Sequence, residues 1–196
     1  MKSLVWSQPV EITIILAVLV AAVLLHSGVL VVISFILFNL FFLFYRIPRI
    51  EVGPGIVSPA TGTIARVRKR STEVIIEIFL SLLNPHVQIV PVDGIVLEST
   101  YVPGPNVDAR LPTDNREQWI TRIRFRDGIV SVVQNTGVVA RRLENYCSRG
   151  QQVRKGNLLG LIKFGSRVDL CVPHRFGRAF RLQEGDKVRM GESLFL

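Results

Sequence analysis

A long apolar stretch, residues 12 to 45, limits most strongly what the N-terminal quarter of the chain can become. His26, Ser27 and Gly28 divide it into a first run and a second, Phe-rich run. One helix needs about 20 apolar residues to cross a hydrocarbon core about 30 Å thick. The stretch is too long for one crossing and slightly short for two. We therefore predict an N-terminal transmembrane helical hairpin within residues 1–48, with one long tilted helix as the alternative.

Positive residues flank this stretch on both sides. Lys2 precedes it, and Arg46 and Arg49 follow it. Positive flanks favour the cytoplasmic side of a membrane. A hairpin would therefore leave both of its ends, and the domain predicted for residues 49–196, on the cytoplasmic face of the cell membrane.

The formal net charge of +9 lies entirely in the chain that follows the apolar stretch. A basic domain can bind nucleic acid or anionic lipid headgroups. Nucleic-acid binding is typically marked by a recognisable motif or by aromatic residues interleaved with basic ones, and the sequence has neither. We therefore predict an anionic membrane surface as a partner, and no nucleic acid.

Residues 49–196 have the pattern of a β domain. Gly and Pro recur every few residues between short β-branched runs, which is typical of short strands joined by tight turns. The clearest runs lie at 74–78, 120–125, 129–133 and 158–164. Residues 102–118 are predicted to form a long loop, lying either over a site or against the membrane. The expected fold class is all-β.

Two short patterns occur twice in this domain. Residues 59–64 are echoed by residues 91–96, and residues 150–156 by residues 185–191. Glycines at equal offsets suit tight turns, so we predict a compact sandwich of the barrel-sandwich type with internal pseudo-symmetry. Lipoyl and biotinyl carrier domains share the second pattern, Gly-x-x-Val-x-x-Gly. Their Met-Lys modification signature is absent, which argues against a carrier role.

Common catalytic and metal-binding motifs are missing from the chain. It has no Gly-x-Ser-x-Gly elbow, no phosphate loop, no dinucleotide fingerprint and no His/Cys metal cluster, so we predict no metal. The domain has two histidines, His86 and His174. His174 lies in a basic turn and is assigned to the solvated surface.

Seven segments, taken in order, carry a resemblance to a known family. They are Phe-Tyr-Arg-Ile-Pro at 44–48, Ser-Pro-Ala-Thr-Gly at 58–62, Leu-Leu-Asn-Pro-His-Val at 82–87, Pro-Val-Asp-Gly at 91–94, Gly-Val-Val-Ala-Arg-Arg at 137–142, Gly-x-x-Val-x-x-Gly at 150–156 and Phe-Gly-Ser-Arg-Val-Asp at 164–169. Together they resemble the short-type phosphatidylserine decarboxylases, including archaetidylserine decarboxylase-like members. The resemblance runs from the apolar stretch to residue 196.

The resemblance implies a proenzyme that cleaves itself between Gly165 and Ser166, giving a β chain of residues 1–165 and an α chain of residues 166–196. The Ser166 hydroxyl would attack the Gly165 carbonyl, and elimination from the resulting ester would break the chain. Residue 166 would become a pyruvoyl group, a covalent cofactor that accepts the electron pair as carbon dioxide leaves. The substrate implied is the membrane phospholipid phosphatidylserine, and the product is phosphatidylethanolamine.

The resemblance also implies roles for particular side chains. His86 matches the family position for acid–base work. Arg141, Arg142 and Arg167 are candidates for binding the substrate phosphate or carboxylate, because guanidinium groups bind such oxyanions in a bidentate manner.

The chain departs from the family at Thr61, where the family has an aspartate thought to assist self-cleavage. Threonine cannot stabilise a protonated histidine as a carboxylate does. Asp93 or Asp169 could substitute, the chain could cleave without a carboxylate, or it could be impaired. Asp93 is equally explained as a turn residue.

Two rival classes are an uncleaved lipid-binding relative with the same sandwich and a membrane-fusion adaptor. The chain lacks the heptad stretch typical of such adaptors. The sequence leaves open whether the lipid is a diacyl or an archaeal ether lipid. It also leaves open the oligomeric state, a homo-oligomer included.

Overall fold

The computed structural model describes residues 9–24, 28–105, 107–111, 113–137, 142–163, 166–178 and 182–195. The chain forms two compact units, with the boundary between Pro48 and Arg49.

The N-terminal unit contains two helices that pack against each other, α1 (Pro9–Leu24) and α2 (Gly28–Tyr45). Many of their large apolar side chains are exposed, and Phe35 is 67% exposed. Residues 25–27, where the turn was predicted, lie outside the described residues.

Neither helix, over the residues described, is long and apolar enough to cross a membrane. The structure thus has two helices where the hairpin was predicted, but the transmembrane part of that prediction is not upheld.

The second unit is built from short strands, and thirteen of them fall in its described residues. Their bounds are β1 Ile56–Val57, β2 Gly62–Lys69, β3 Glu73–Leu80, β4 Val87–Ile89, β5 Gly94–Val102, β6 Gln118–Phe125, β7 Gly128–Thr136, β8 Arg142–Asn145, β9 Gln152–Val153, β10 Leu158–Lys163, β11 Ser166–Pro173, β12 Lys187–Val188 and β13 Ser193–Phe195. A short 3-10 helix, His174–Arg178, follows β11. The prediction of an all-β domain is confirmed, and the four clearest apolar runs lie in β3, β6, β7 and β10.

The strands form three antiparallel sheets. The largest has eight strands in the order β12-β2-β3-β11-β7-β6-β5-β9. A three-stranded sheet has the order β4-β10-β8, and β1 pairs with β13. The strands β11 and β10 are therefore each flanked by partners on both sides.

The hydrophobic core lies on one face of the large sheet. Directly paired residues of antiparallel strands share a face, and Leu170 of β11 pairs with Ile76 of β3 and Val132 of β7. All three side chains are buried. The residues that alternate with Leu170 along β11 include Arg167 and Asp169, so the opposite face of this strand carries charge.

The repeated sequence patterns make equivalent contacts. β12 pairs with β2 so that Val188 lies opposite Gly62, and β9 pairs with β5 so that Val153 lies opposite Gly94. The backbone N–H of Gly191 donates to Ser58 O, as that of Gly156 does to Val90 O. The two copies of the motif thus have the same local structure.

Candidate functional site

Three neighbouring strands leave one sheet and continue in another at the same place. β3 leads to β4, β7 leads to β8, and β10 leads to β11, which is the middle strand of the three. Ser166 is the first residue of β11, and its backbone pairs with Leu80 at the end of β3 and Thr136 at the end of β7. Gly165 lies outside the described residues.

His86 lies in the connection from β3 to β4, close to the same sheet transition. The backbone N–H of Ile162 donates to His86 O at 3.1 Å. Two segments, 80–86 and 162–166, are therefore joined at both ends. The Ile162–His86 hydrogen bond joins one pair of ends, and the Leu80–Ser166 pairing joins the other. This arrangement brings His86 and Ser166, the two predicted catalytic residues, into one small region of the domain.

The His86 ring is buried, and one of its nitrogens has a fixed role. Nδ1 lies 2.8 Å from Asn84 O, and a carbonyl oxygen can only accept. Nδ1 therefore carries a proton and donates it to Asn84 O, which leaves Nε2 with the lone pair of the neutral ring. No carboxylate is needed to set this tautomer.

A row of hydrogen-bonded amide side chains, two of them buried, supports the His86 backbone. Gln88 Nε2 donates to His86 O at 2.8 Å, and Gln134 Nε2 donates to Gln88 Oε1 at 2.8 Å. Asn145 Nδ2 donates in turn to Gln134 Oε1 at 2.9 Å. This row of hydrogen-bonded amides was not predicted from the sequence. The available signal was Gln134, a polar residue that continues the buried Val130 and Val132 face of β7 at the strand spacing of two.

Arg167 lies inside the domain, with only 1% of its surface exposed. Its Nε and Nη2 lie 2.8 and 3.0 Å from the two carboxylate oxygens of Asp169. Its Nη1 lies 3.2 Å from Glu77 Oε2 and donates to Leu111 O at 3.1 Å. These contacts hold the Arg167 guanidinium within the domain, against two carboxylates and a loop carbonyl.

The loop between β5 and β6 is held by a second buried arginine, Arg116, which the sequence analysis also missed. Its Nη2 donates to Leu111 O at 2.8 Å and its Nε to Thr113 O at 3.0 Å. Arg116 and Arg167 thus share Leu111 O as an acceptor. Part of the predicted long loop therefore packs on the charged face of the large sheet.

Asp169 is the one candidate carboxylate on the Ser166 strand. Burial raises its pKa to about 6, and the neighbouring Glu77 carboxylate adds to this, while Arg167 acts in the opposite direction. Its described side-chain partners are Arg167 and Asn135 rather than His86.

Thr61 and Asp93 occupy equivalent positions in the two copies of the repeated motif. The Thr61 hydroxyl accepts a hydrogen bond from the Met190 N–H at 3.0 Å, and Asp93 Oδ1 accepts one from the Lys155 N–H at 2.8 Å. Asp93 precedes β5 at the Gly128 end of β7, whereas Ser166 pairs at the Thr136 end. Asp93 is therefore far from Ser166, and the turn role explains its contacts.

The remaining candidates lie at or beyond the edges of the described chain. Arg141 lies outside the described residues, and Arg142 begins β8, where its backbone pairs with Lys163. His174 is exposed at the start of the 3-10 helix, as expected for a solvated residue. Within the described ranges, no group of three or more His, Cys, Asp or Glu side chains is arranged to hold a metal ion.

Comparisons with known proteins agree on one family. A sequence model described as phosphatidylserine decarboxylase matches residues 37–196. A phosphatidylserine decarboxylase proenzyme from Geotalea uraniireducens is 35% identical over 196 residues, covering 93% of this chain and 88% of the relative. One from Chlorobaculum parvum is 40% identical over 158 residues, with coverages of 74% and 72%. A candidate archaetidylserine decarboxylase proenzyme from Archaeoglobus fulgidus is 35% identical over 164 residues, with coverages of 84% and 80%.

Proposed function

The chain belongs to the phosphatidylserine decarboxylase family, and from this premise we propose that it is a self-cleaving, pyruvoyl-dependent decarboxylase of serine phospholipids. Phosphatidylserine or an archaeal ether analogue would be the substrate, and the corresponding ethanolamine lipid the product. The observation that carries this proposal is the position of Ser166, which opens the middle strand where three strands change sheets, with His86 linked to the same place.

Self-cleavage would begin with the Ser166 hydroxyl and the Gly165 carbonyl. Attack by the hydroxyl oxygen converts the 165–166 amide to an ester and frees the amine of residue 166. Loss of the Cα proton of residue 166 then expels the Gly165 carboxylate and breaks the chain. The dehydroalanine left at position 166 takes up water and releases ammonia, which gives the pyruvoyl group.

His86 would be the proton acceptor in these steps. With Nδ1 donating to Asn84 O, the basic nitrogen is Nε2. A backbone carbonyl would thus hold the ring in place of the family aspartate, and Thr61 would serve the turn through Met190 N–H. This supports a maturation step that uses no carboxylate partner.

The residues present fit a pyruvoyl group at position 166. After cleavage, β11 would still pair with β3 over eight residue pairs and with β7 over six, so the new chain end would keep its place without the bond to residue 165. The group supplies a ketone that takes the electron pair when carbon dioxide leaves. His86 would then hold or deliver a proton at the reacting carbon, and Arg141 and Arg142 would bind the lipid phosphate or carboxylate.

We also propose that the chain acts at the cell membrane with its β domain on the cytoplasmic side. The exposed apolar side chains of α1 and α2 suit contact with lipid, and Arg46 and Arg49 follow them. The lipid class of the substrate supports the same location, since both substrate and product stay in the bilayer.

The test is decarboxylation by the full chain in detergent, followed as conversion of phosphatidylserine to phosphatidylethanolamine by mass spectrometry. Ser166→Ala should stay uncleaved and inactive, and His86→Ala should cleave far more slowly. The matched controls are Ser148→Ala and His174→Ala, which change an exposed serine and an exposed histidine. Phenylhydrazine, which reacts with ketones, should inactivate the cleaved wild type.

An active Ser166→Ala chain would contradict the proposal. So would a wild type that stays uncleaved and binds phosphatidylserine without turning it over, since that behaviour belongs to an uncleaved lipid-binding relative. Melting curves of the four variants would show whether a loss of activity reflects unfolding.

A further inference from the structure

Two leucines lie exposed on the turn that leads from the end of β3 to His86. We call residues 81–84 the leucine turn. Leu82 and Leu83 are each 62% exposed, although turn positions usually carry Gly, Pro, Asn, Asp or Ser. Adjacent large apolar side chains on a turn are costly in water and suit contact with an apolar phase.

The leucine turn is held in one conformation by Asn84. Asn84 Oδ1 accepts hydrogen bonds from Ser81 N at 2.9 Å and from Ser81 Oγ at 2.7 Å. The Asn84 N–H donates to Ser81 O at 2.9 Å. Such a preorganised turn loses little conformational entropy when it binds a surface.

The leucine turn is continuous with the candidate site. It follows Leu80, whose backbone pairs with Ser166, and its last residue accepts the His86 Nδ1 hydrogen bond through Asn84 O. A surface contacted by Leu82 and Leu83 would therefore lie next to the proposed reaction centre.

Basic side chains flank the base of the turn. The Arg110 guanidinium carbon lies 5.1 Å from the centroid of the Phe79 ring, and Phe79 precedes Leu80. Lys187 pairs with Thr63, which pairs with Phe79, so these three residues share one face of the sheet. Arg110 and Lys187 are both exposed. Apolar tips beside positive charge match the surface of an anionic bilayer.

We propose that the leucine turn inserts into an anionic phospholipid leaflet, with Arg110 and Lys187 contacting its headgroups. The site would then receive a serine lipid directly from the bilayer, and the headgroup would reach residue 166 while the acyl chains stay in the membrane. The identity of this lipid rests on the proposed function, whereas the contact with the leaflet rests on the turn itself.

The first test compares two substrates in the full, cleaved chain. Leu82→Ser/Leu83→Ser should lower kcat/KM for phosphatidylserine in vesicles roughly tenfold, because two apolar side chains no longer enter the leaflet. The same variant should keep the wild-type kcat/KM for dihexanoyl phosphatidylserine below its micelle concentration. The matched control is Ile95→Ser/Ile129→Ser, two exposed residues on either side of Arg124 at the other end of the sheet, which should change neither value.

An equal loss on both substrates would overturn the proposal, because the leucines would then serve the site or the fold. A change in the oligomeric mass of Leu82→Ser/Leu83→Ser, measured in detergent by light scattering, would also overturn it, since the turn would then be a contact between copies of the chain.

A second test does not depend on decarboxylase activity. In the uncleaved Ser166→Ala chain, Leu83→Trp should shift its emission to shorter wavelength when phosphatidylglycerol vesicles are added, and Ile129→Trp should not. An unshifted Leu83→Trp spectrum overturns the leaflet contact even where the wild type decarboxylates. A shift in a chain whose wild type lacks decarboxylase activity would uphold the contact and reject the proposed function.

Discussion

Arg167 connects the strand that begins at Ser166 with two other parts of the domain. Its contacts reach Glu77 on β3, Asp169 on its own strand and the loop carbonyl of Leu111. Removing one member of a buried ion pair leaves an uncompensated charge in a poorly solvated place. Arg167 is therefore expected to stabilise the fold around the site, and its loss to be costly.

Arg167→Gln, made in the uncleaved Ser166→Ala chain, should lower the free energy of unfolding by about 3–5 kcal/mol. Arg122→Gln is the control, because the Arg122–Glu98 pair is exposed and should be worth at most about 1 kcal/mol. Urea unfolding followed by Trp119 fluorescence measures both. Equal losses in the two variants would show that the buried network adds no more than a surface pair.

Asp169 should make stability depend on pH. Its pKa is raised from 3.8 to about 6 in the folded chain, so the folded state holds a proton where the unfolded state has lost it. The contribution of Asp169 to stability is then fully present below about pH 4 and falls as the pH rises towards about 6. In Asp169→Asn that titration is absent. The wild-type minus variant unfolding free energy should therefore fall by on the order of 2 kcal/mol between pH 4 and pH 6.5, and a constant difference would contradict the assignment.

The resemblance implied site roles for Ser166, His86 and Arg167, but local sequence could not predict that Arg167 is buried. Alternation along β11 puts Arg167 and Asp169 on one face of the strand and Val168 and Leu170 on the other. The charged face of such a strand is usually exposed to solvent. Here the loop from β5 to β6 covers that face through Leu111 and Thr113. A long-range contact of this kind leaves no periodic signal in the strand itself.

At the scale of strands and turns, alanine substitutions at Gly62 and Gly94 compare the two copies of the repeated motif. A Cβ on Gly62 would overlap Phe79 O, and a Cβ on Gly94 would overlap Arg124 O. Gly62→Ala and Gly94→Ala should each cost about 2–3 kcal/mol. Gly150→Ala, where no atom lies within 4 Å of the added carbon, should cost only about 1 kcal/mol for its positive φ.

Gly62→Ala and Gly94→Ala should differ in the rate of self-cleavage. Phe79 precedes Leu80, which pairs with Ser166, so a shift of Phe79 should slow cleavage in Gly62→Ala. Arg124 lies at the other end of the sheet, and Gly94→Ala should cleave at the wild-type rate once folded. Gel analysis over time measures both, and identical rates would argue against coupling between this turn and the site.

The strand positions could be predicted because β-branched runs and turn residues are local signals. Residues 74–78 fall within β3 and residues 129–133 within β7. The placement of β11 between those two strands could not be predicted, since register depends on contacts between segments far apart in the chain. The sheet transition at Ser166 follows from that pairing, and so it appears only in the folded structure.

At the scale of the whole molecule, the apolar N-terminal helices and the β domain are separate compact units. Composition indicated the two parts, because the apolar residues and the charge are segregated along the chain. The described helices do not support the predicted membrane crossing. The proposed lipid substrate gives both units a role in one reaction. That reaction depends on self-cleavage at Ser166.

The most direct test of that maturation is the intact mass of the purified full chain in detergent. Self-cleavage would give two chains, the smaller one consisting of residues 166–196. Its N-terminus should be blocked, and its mass should be lower, by one molecule of ammonia, than that of the same peptide beginning with serine. A single species of 22.0 kDa after prolonged incubation with phospholipid vesicles would contradict the account.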